Sequence, residues 1–218
     1  MAGQRTPVRR TQAERSATTQ ARVIAVTMEC LAERGLSQTT MAAIAERAGL
    51  TVGAIQHQFG DKDGVLHAVL EHSIAHLAGS LAMAEATGPS VEDRVDAMIH
   101  VLWAGEQSTY RKAQFQALME LLRALRRDPA TQGEGDTFMR RIALVIHRQW
   151  MAMFWDVPAP ERYHFAAERL MFASLNGLAL EPSISSAVPE PTLELRALRD
   201  AIVGILEAGI AEGRPGRP

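Results

Sequence analysis

Cysteine is all but absent from these 218 residues: Cys30 stands alone, so no intrachain disulfide can form and packing must hold the fold. That thiol sits among apolar helical positions, where it is expected to be buried and inert rather than a redox sensor. No apolar run approaches the roughly 18 residues a membrane span needs. The N-terminus is rich in Arg, Thr and Gln and lacks an apolar segment, so no secretory signal is expected and the cytoplasm is the consistent compartment. No alternating apolar–polar stretch bounded by hairpin turns occurs, which argues against sheets. The patterns GxGxxG, GxxxxGK[ST], HExxH and GxSxG are missing, so neither an enzyme nor a resident cofactor is expected. A di-iron bundle needs two Glu-x-x-His motifs, and only Glu161-Arg162-Tyr163-His164 is present. His72 and His76, four apart on one helix, lack a third ligand at matching spacing and read as surface residues.

What is present is a chain 47% apolar, enough for a real core in one large or two small domains, with no low-complexity block. The formal net charge is −2, but its distribution is uneven. Residues 1–62 hold eight basic against five acidic side chains, a net +3, while the remainder holds 15 against 20, a net −5. A basic head on an acidic body suits a protein that meets phosphate with one end.

The organising stretch is Leu36 to Phe59, LSQTTMAAIAERAGLTVGAIQHQF. Thr39 or Thr40 is an N-cap, and Met41, Ile44, Ala45 and Ala48 share one helical face. Gly49 stands where a left-handed residue would end the helix, and Leu50 can plug the space between two helices. Thr51 caps a second short helix, with Thr51, Ile55 and Phe59 inward and Val52, Gly53, Gln56 and His57 outward. Two short helices joined by a Gly-containing turn make a helix-turn-helix. The outward residues include no acid; Gln56 and His57 can donate and accept at base edges or phosphates, and Gly53 would let the backbone approach a groove wall.

The run TTMAAIAERAGLTVGAIQHQFGDKDGVL resembles the DNA-binding region of the TetR (tetracycline-repressor-like) family of bacterial transcription regulators. The matching pieces are Thr39–Thr40, Ile44-Ala45, Ala48-Gly49, Leu50-Thr51, Gly53, Phe59, Lys62 and Val65-Leu66, within roughly residues 20 to 66. The resemblance implies that the second helix enters the major groove and that Lys62 meets phosphate. Gln56 stands where the family usually has a Tyr that contacts the DNA backbone, and Gln58 where it often has a His. A Gln amide at 56 could take over that contact without the ring's packing. Thr39, Thr40, Thr51, Val52, Gly53, Gln56, His57 and Lys62 are therefore the expected DNA-binding set.

The rest of the chain reads as helices only, so the expected fold is all-α: a three-helix DNA-binding head and a helical-bundle body for ligand binding and dimerisation. Residues 1–11 form a basic tail with Arg5, Arg9 and Arg10, expected to be disordered, and 12–62 the head. Residues 63–86 form a connecting helix, 89–212 the body, and 213–218 a disordered end. In the first helix Ala17, Ala21, Ile24, Ala25, Met28, Leu31 and Ala32 make the apolar stripe, and Gly35 ends it. The connecting helix carries Leu66, Leu70, Ser73, Leu77 and Leu81 inward, and Thr87-Gly88-Pro89-Ser90 is the best domain boundary. Gly133-Glu134-Gly135 reads as loop before a helix starting near Asp136.

Aromatic and Met side chains gather in the middle helices of the body. As a group, Met98, Trp103, Phe115, Met119, Gln149, Trp150 and Met153 could line an inducer pocket, because bundles place ligand cavities between helices. Other polar groups available to orient a ligand are Gln107, Gln114, His147 and Asn176, with Tyr110 nearby. The last two helices are apolar over broad faces; Phe172, Leu175, Ile202 and Leu206 mark an expected homodimer interface, as the resemblance also implies. The whole reads as a ligand-responsive regulator, a repressor, that binds palindromic operator DNA as a homodimer and takes a small apolar or amphipathic effector, with no membrane role. A helical-bundle enzyme or metal protein using the body cavity, and an adaptor binding protein through Val52–His57, are the readings from other classes.

Overall fold

The computed structural model describes residues 12–84, 88–104, 113–180 and 191–213, and among these the regular structure is helical throughout. The helices are α1 (Gln12–Gln38), α2 (Met41–Ala48), α3 (Val52–Phe59), α4 (Lys62–Ala84), α5 (Val91–Ile99), α6 (Ala113–Arg127), α7 (Gln132–Met153), α8 (Glu161–Leu180) and α9 (Thr192–Gly213). A π-helical turn, His100–Ala104, extends α5. The chain divides into two compact units between His72 and Ser73. The division falls inside α4, because Val65 belongs to the core of the first unit and Leu77 and Leu81 to that of the second.

In the head, Val23, Val26 and Cys30 of α1 close on Ile44, Ala45 and Ala48 of α2, Ile55 of α3 and Val65 of α4. The thiol of Cys30 is buried, as expected. The buried face of α1 is Val23, Val26, Thr27, Met28, Cys30 and Leu31. Ala17, Ala21, Ala25 and Ala32, expected on the stripe, are exposed. An Ala methyl buries little area, so the larger Val, Met and Leu side chains decide which face turns inward. Gly35 breaks α1 at φ 72°, where the sequence placed its end.

In the body, α8 and α9 pack closely, as do α6 with α7 and α5 with α9, around a core that includes Trp150, Phe154, Leu102 and Met171. Helix α5 opens with a reciprocal cap: the Ser90 hydroxyl accepts from Asp93 N–H (3.0 Å) while the Asp93 carboxylate accepts from Ser90 N–H (3.3 Å). The Ser90 bonds hold the Asp93 carboxyl below the usual carboxylate range. Arg94 of α5 reaches across to Asp156, the carbonyl of Met153 and the carbonyl of Pro89, joining α5 to the end of α7. Residues Gly133–Gly135, expected as loop, are the first turn of α7. Gly135 lies against Leu125 and Arg126 of α6, where a side chain would crowd both, and this close approach lets the helix begin early.

Phe172, Leu175, Ile202 and Leu206, expected at a dimer interface, face the body's own core instead. That corrects the expectation for these four: α8 and α9 bury these side chains against each other and in the core shared with α5 and α7 within one subunit. Residues 1–11 and the end beyond Gly213 lie outside the described residues, as do Thr87, Gln107, Tyr110 and the side chain of Gln114.

Candidate nucleic-acid interface

Helices α2 and α3 are short, eight residues each, so their ends carry much of their free energy. Thr40 caps α2 through its hydroxyl, which accepts from Ala43 N–H at 3.2 Å. Thr51 caps α3 in the same way, accepting from Ala54 N–H at 3.1 Å. Between them Gly49 takes the left-handed conformation (φ 62°, ψ 39°). Its N–H bonds the Glu46 carbonyl at 3.1 Å, and Leu50 N–H bonds the Ala45 carbonyl at 2.9 Å. This paired closure satisfies the last carbonyls of α2 and turns the chain directly into α3. Ile55 is fully buried beneath α3, and Leu50, Val52 and Phe59 pack half-buried around it.

What α3 leaves outside is Gly53, Gln56 and His57, all exposed, with the capping Thr51 at its start. Thr51 was expected on the inner side; it is exposed because its backbone is extended and its hydroxyl is turned to the Ala54 amide. Val52, expected outward, shares its surface with the head core. Thr39, expected among the DNA-contacting residues, is fully buried, and its hydroxyl donates to the Gly35 carbonyl at 2.8 Å. That corrects its placement: Thr39 secures the kink after α1, and Thr40 alone caps α2. Lys62 Nζ lies 3.0 Å from the Leu36 carbonyl, half-buried, and donates to it. An ammonium carries three donors, so one bond to the chain leaves others for an anion.

The electrostatics of the head are set partly by pairing. Arg47 of α2 makes a two-pronged contact with Glu33 (2.5 and 2.6 Å) and a third bond to Glu29 (3.0 Å), tying α2 to α1. The Arg47 hydrogen bond holds the Glu33 carboxyl below its ordinary range, and Glu33 raises the guanidinium in return. The Asp61 carboxylate accepts from Gly64 N–H at 2.9 Å and so caps α4. These three acids are thus engaged within the head.

The two ends of the chain's head also meet. Gln12, Arg15, Ser16 and Thr19 of α1 line a cleft with His57 and Gln58 of α3. The sequence pattern offered no sign of this, because some 40 residues separate the two walls and no periodicity links them. In the body, the seven residues expected to hold an effector lie in and around one core: Met98, Trp103, Phe115, Trp150 and Met153 are buried and Met119 packs against them. Gln149 is half-buried, and its side-chain oxygen is sealed from solvent without a hydrogen-bond partner. His147 is instead engaged with Glu168 at 2.8 Å and stacked on Phe165. Among the described residues no group of three or more His, Cys, Asp or Glu is placed to hold a metal, and no helix is long and apolar enough to cross a membrane.

Two capped short helices, a left-handed Gly turn between them and an exposed second helix define a helix-turn-helix DNA-binding domain. Residues 23–69 match the family model described as bacterial regulatory proteins, tetR family, so this domain is similar to the N-terminal domain of that family. The chain is 42% identical over 62 residues to the HTH-type transcriptional regulator BetI of Burkholderia thailandensis, a match covering 28% of this chain and 32% of that protein. The BetI of Burkholderia cenocepacia is 42% identical over 57 residues, 26% of this chain and 29% of the relative. The chain thus spans about a third of the length of the curated relatives it matches. Over nearly its whole length it shares its fold with a transcriptional regulator from Rhodococcus sp. RHA1, at a TM-score of 0.66 and 24% identity, covering 91% of this chain and 99% of that one. The fatty acid degradation regulator FadR from Bacillus halodurans gives 0.65 at 14% identity, covering 84% and 97%.

Proposed function

We propose that this protein is a ligand-responsive transcriptional regulator, a repressor, that binds a palindromic operator as a homodimer. The observation that carries the reading is the outer face of α3: Gly53, Gln56 and His57 are exposed, free of carboxylates, and set on a helix fixed at both ends. A face of this kind fits the major groove, with Gln56 and His57 at base edges. Thr40 and Thr51 lie at helix starts suited to phosphate, and Lys62, held at the Leu36 carbonyl, adds positive charge to the head.

A second copy of the chain supplies the second recognition helix. Support for the pairing surface comes from a groove of 650 Å³ between α8 and α9, lined by Leu170, Ser174, Gly177, Leu178, Ala197 and Ala201 among others. Its small residues permit the close helix approach a four-helix dimer bundle needs. The effector is a small apolar or amphipathic molecule taken into the core around Trp150, with Gln149 as its polar anchor. Because that core is filled by side chains, binding repacks it, and Met98, Met119 and Met153 are suited to such adjustment. A coupling of about 1–3 kcal/mol between effector and DNA would change occupancy usefully. A regulator of this kind works in the cytoplasm, and no catalytic role is proposed for it.

The test is an unbiased selection from random duplexes with the purified protein, read together with its mass by light scattering. Enrichment of an inverted repeat by a dimer supports the reading; a strictly monomeric protein with no preferred duplex refutes it. Gln56→Ala should weaken operator binding with the fold intact. Lys62→Ala should also weaken it and lower the salt slope by about one, but it removes the Leu36 cap as well, so Gln56→Ala is the cleaner variant.

A further inference from the structure

The first turns of α1 and the end of α3 enclose a cleft of 380 Å³, lined by Gln12, Arg15, Ser16, Thr19, His57 and Gln58. Each lining residue is polar and none is acidic. Arg15 and His57 are exposed and can face an anion arriving from solvent. Thr19 directs its hydroxyl proton to the Arg15 carbonyl at 2.9 Å, and among the lining residues the Arg15 guanidinium is the permanent cation. Gln58 differs from its neighbours: it is half-buried, and its side-chain oxygen is sealed from solvent with no hydrogen-bond partner. A sealed acceptor without a donor is unfavourable, and an approaching N–H relieves it. A guanidinium can serve such an acceptor with one edge while its other edge points outward, because its five N–H groups form a rigid planar fork.

We infer that this cleft receives a backbone phosphate of duplex DNA, with Arg15 binding the phosphate and Gln58 acting as the positioning residue for the guanidinium. The inference rests on the reading of α3 as the base-reading helix, since His57 belongs both to its exposed face and to the cleft wall. The chemistry fits a phosphate diester: N–H donors and a fixed positive charge, with no carboxylate in the lining to repel it. The contact carries no sequence information; it would set the register of α3 in the groove and add to affinity on any duplex.

The test uses the full chain and a random-sequence duplex titrated at graded KCl, with Arg15→Ala, Arg15→Lys, Gln58→Ala, the Arg15→Ala/Gln58→Ala pair, and Arg196→Ala in the body as control. Thermal melting of each variant reports folding. Arg15→Ala should weaken binding about tenfold and lower the salt slope by about 0.9 for each copy bound, while Arg196→Ala changes neither. Arg15→Lys should keep the slope, since the charge remains, but still weaken binding, since an ammonium lacks the planar fork that Gln58 would orient. Gln58→Ala should weaken binding on its own and add nothing once Arg15 is gone. An unchanged slope for Arg15→Ala, with wild-type binding intact, overturns the phosphate site and leaves the reading of α3 standing. Additive losses in the double variant overturn the positioning role of Gln58. A wild-type protein without salt-dependent binding overturns both.

Discussion

A methyl group added at Gly64 would lie 1.9 Å from the Phe59 carbonyl oxygen, whereas one added at Gly53 meets nothing within 4 Å. Both residues are helical, and in both a Gly is less favourable than Ala by roughly 1 kcal/mol. At Gly64 the fold itself explains the absent side chain, because α4 starts against the last turn of α3. At Gly53 nothing among the described residues does, and the explanation moves to what α3 meets. Gly64→Ala should therefore destabilise the head by about 1–3 kcal/mol, seen as a lower urea midpoint. Gly53→Ala should raise that midpoint by up to about 1 kcal/mol while weakening operator binding. A variant that gained stability and kept full affinity would place the close approach elsewhere.

Helices α8 and α9 each carry two faces with different fates. Leu175, Ile202 and Leu206 are fully buried in the body core, while Gly177, Ala197 and Ala201 line the outer groove. The apolar periodicity of these helices was plain in the sequence, but both faces are apolar, so the pattern could not say which one turns inward. Tertiary packing decides it: Leu175, Ile202 and Leu206 close on the body core, while Leu170 and Leu178 stay at the groove beside the small residues. Leu175→Ala should cost about 2–5 kcal/mol of stability, measured in urea. Gly177→Glu should leave the melting curve of the subunit near its original position and shift the protein's mass in light scattering from dimer to monomer. If Gly177→Glu stays dimeric, the partner surface lies off this groove.

At the scale of the whole molecule, paired carboxylates set the response to acid. Arg47 holds Glu33, Ser90 holds Asp93 and Arg94 holds Asp156 below their ordinary values, in each case through a side-chain hydrogen bond. A carboxylate depressed on folding adds stability that is present above its unfolded value, near pH 4, and lost as pH falls through its folded value. The urea midpoint should thus be flat from about pH 7 to 5 and fall below about pH 4. The pairs are exposed, so added salt should flatten that fall. Arg94→Met should also make it shallower, since Asp156 then titrates in its usual range. A midpoint that rose on acidification would contradict the pairing.

Much of this protein was legible in its residues alone. The Thr40 and Thr51 caps, the left-handed Gly49 and the all-helical body follow from local rules, because a cap, a turn and a helical stripe each involve residues within a few positions of one another. Tertiary packing decided what local rules leave open. It turned the Val23 face of α1 inward in place of the Ala face, sank Thr39 beneath the surface, drew Lys62 to the Leu36 carbonyl, and set Arg15 and Gln58 on the walls of one cleft. Each of these depends on volumes and hydrogen-bond partners from distant segments, which compete for the same space only after the chain has folded.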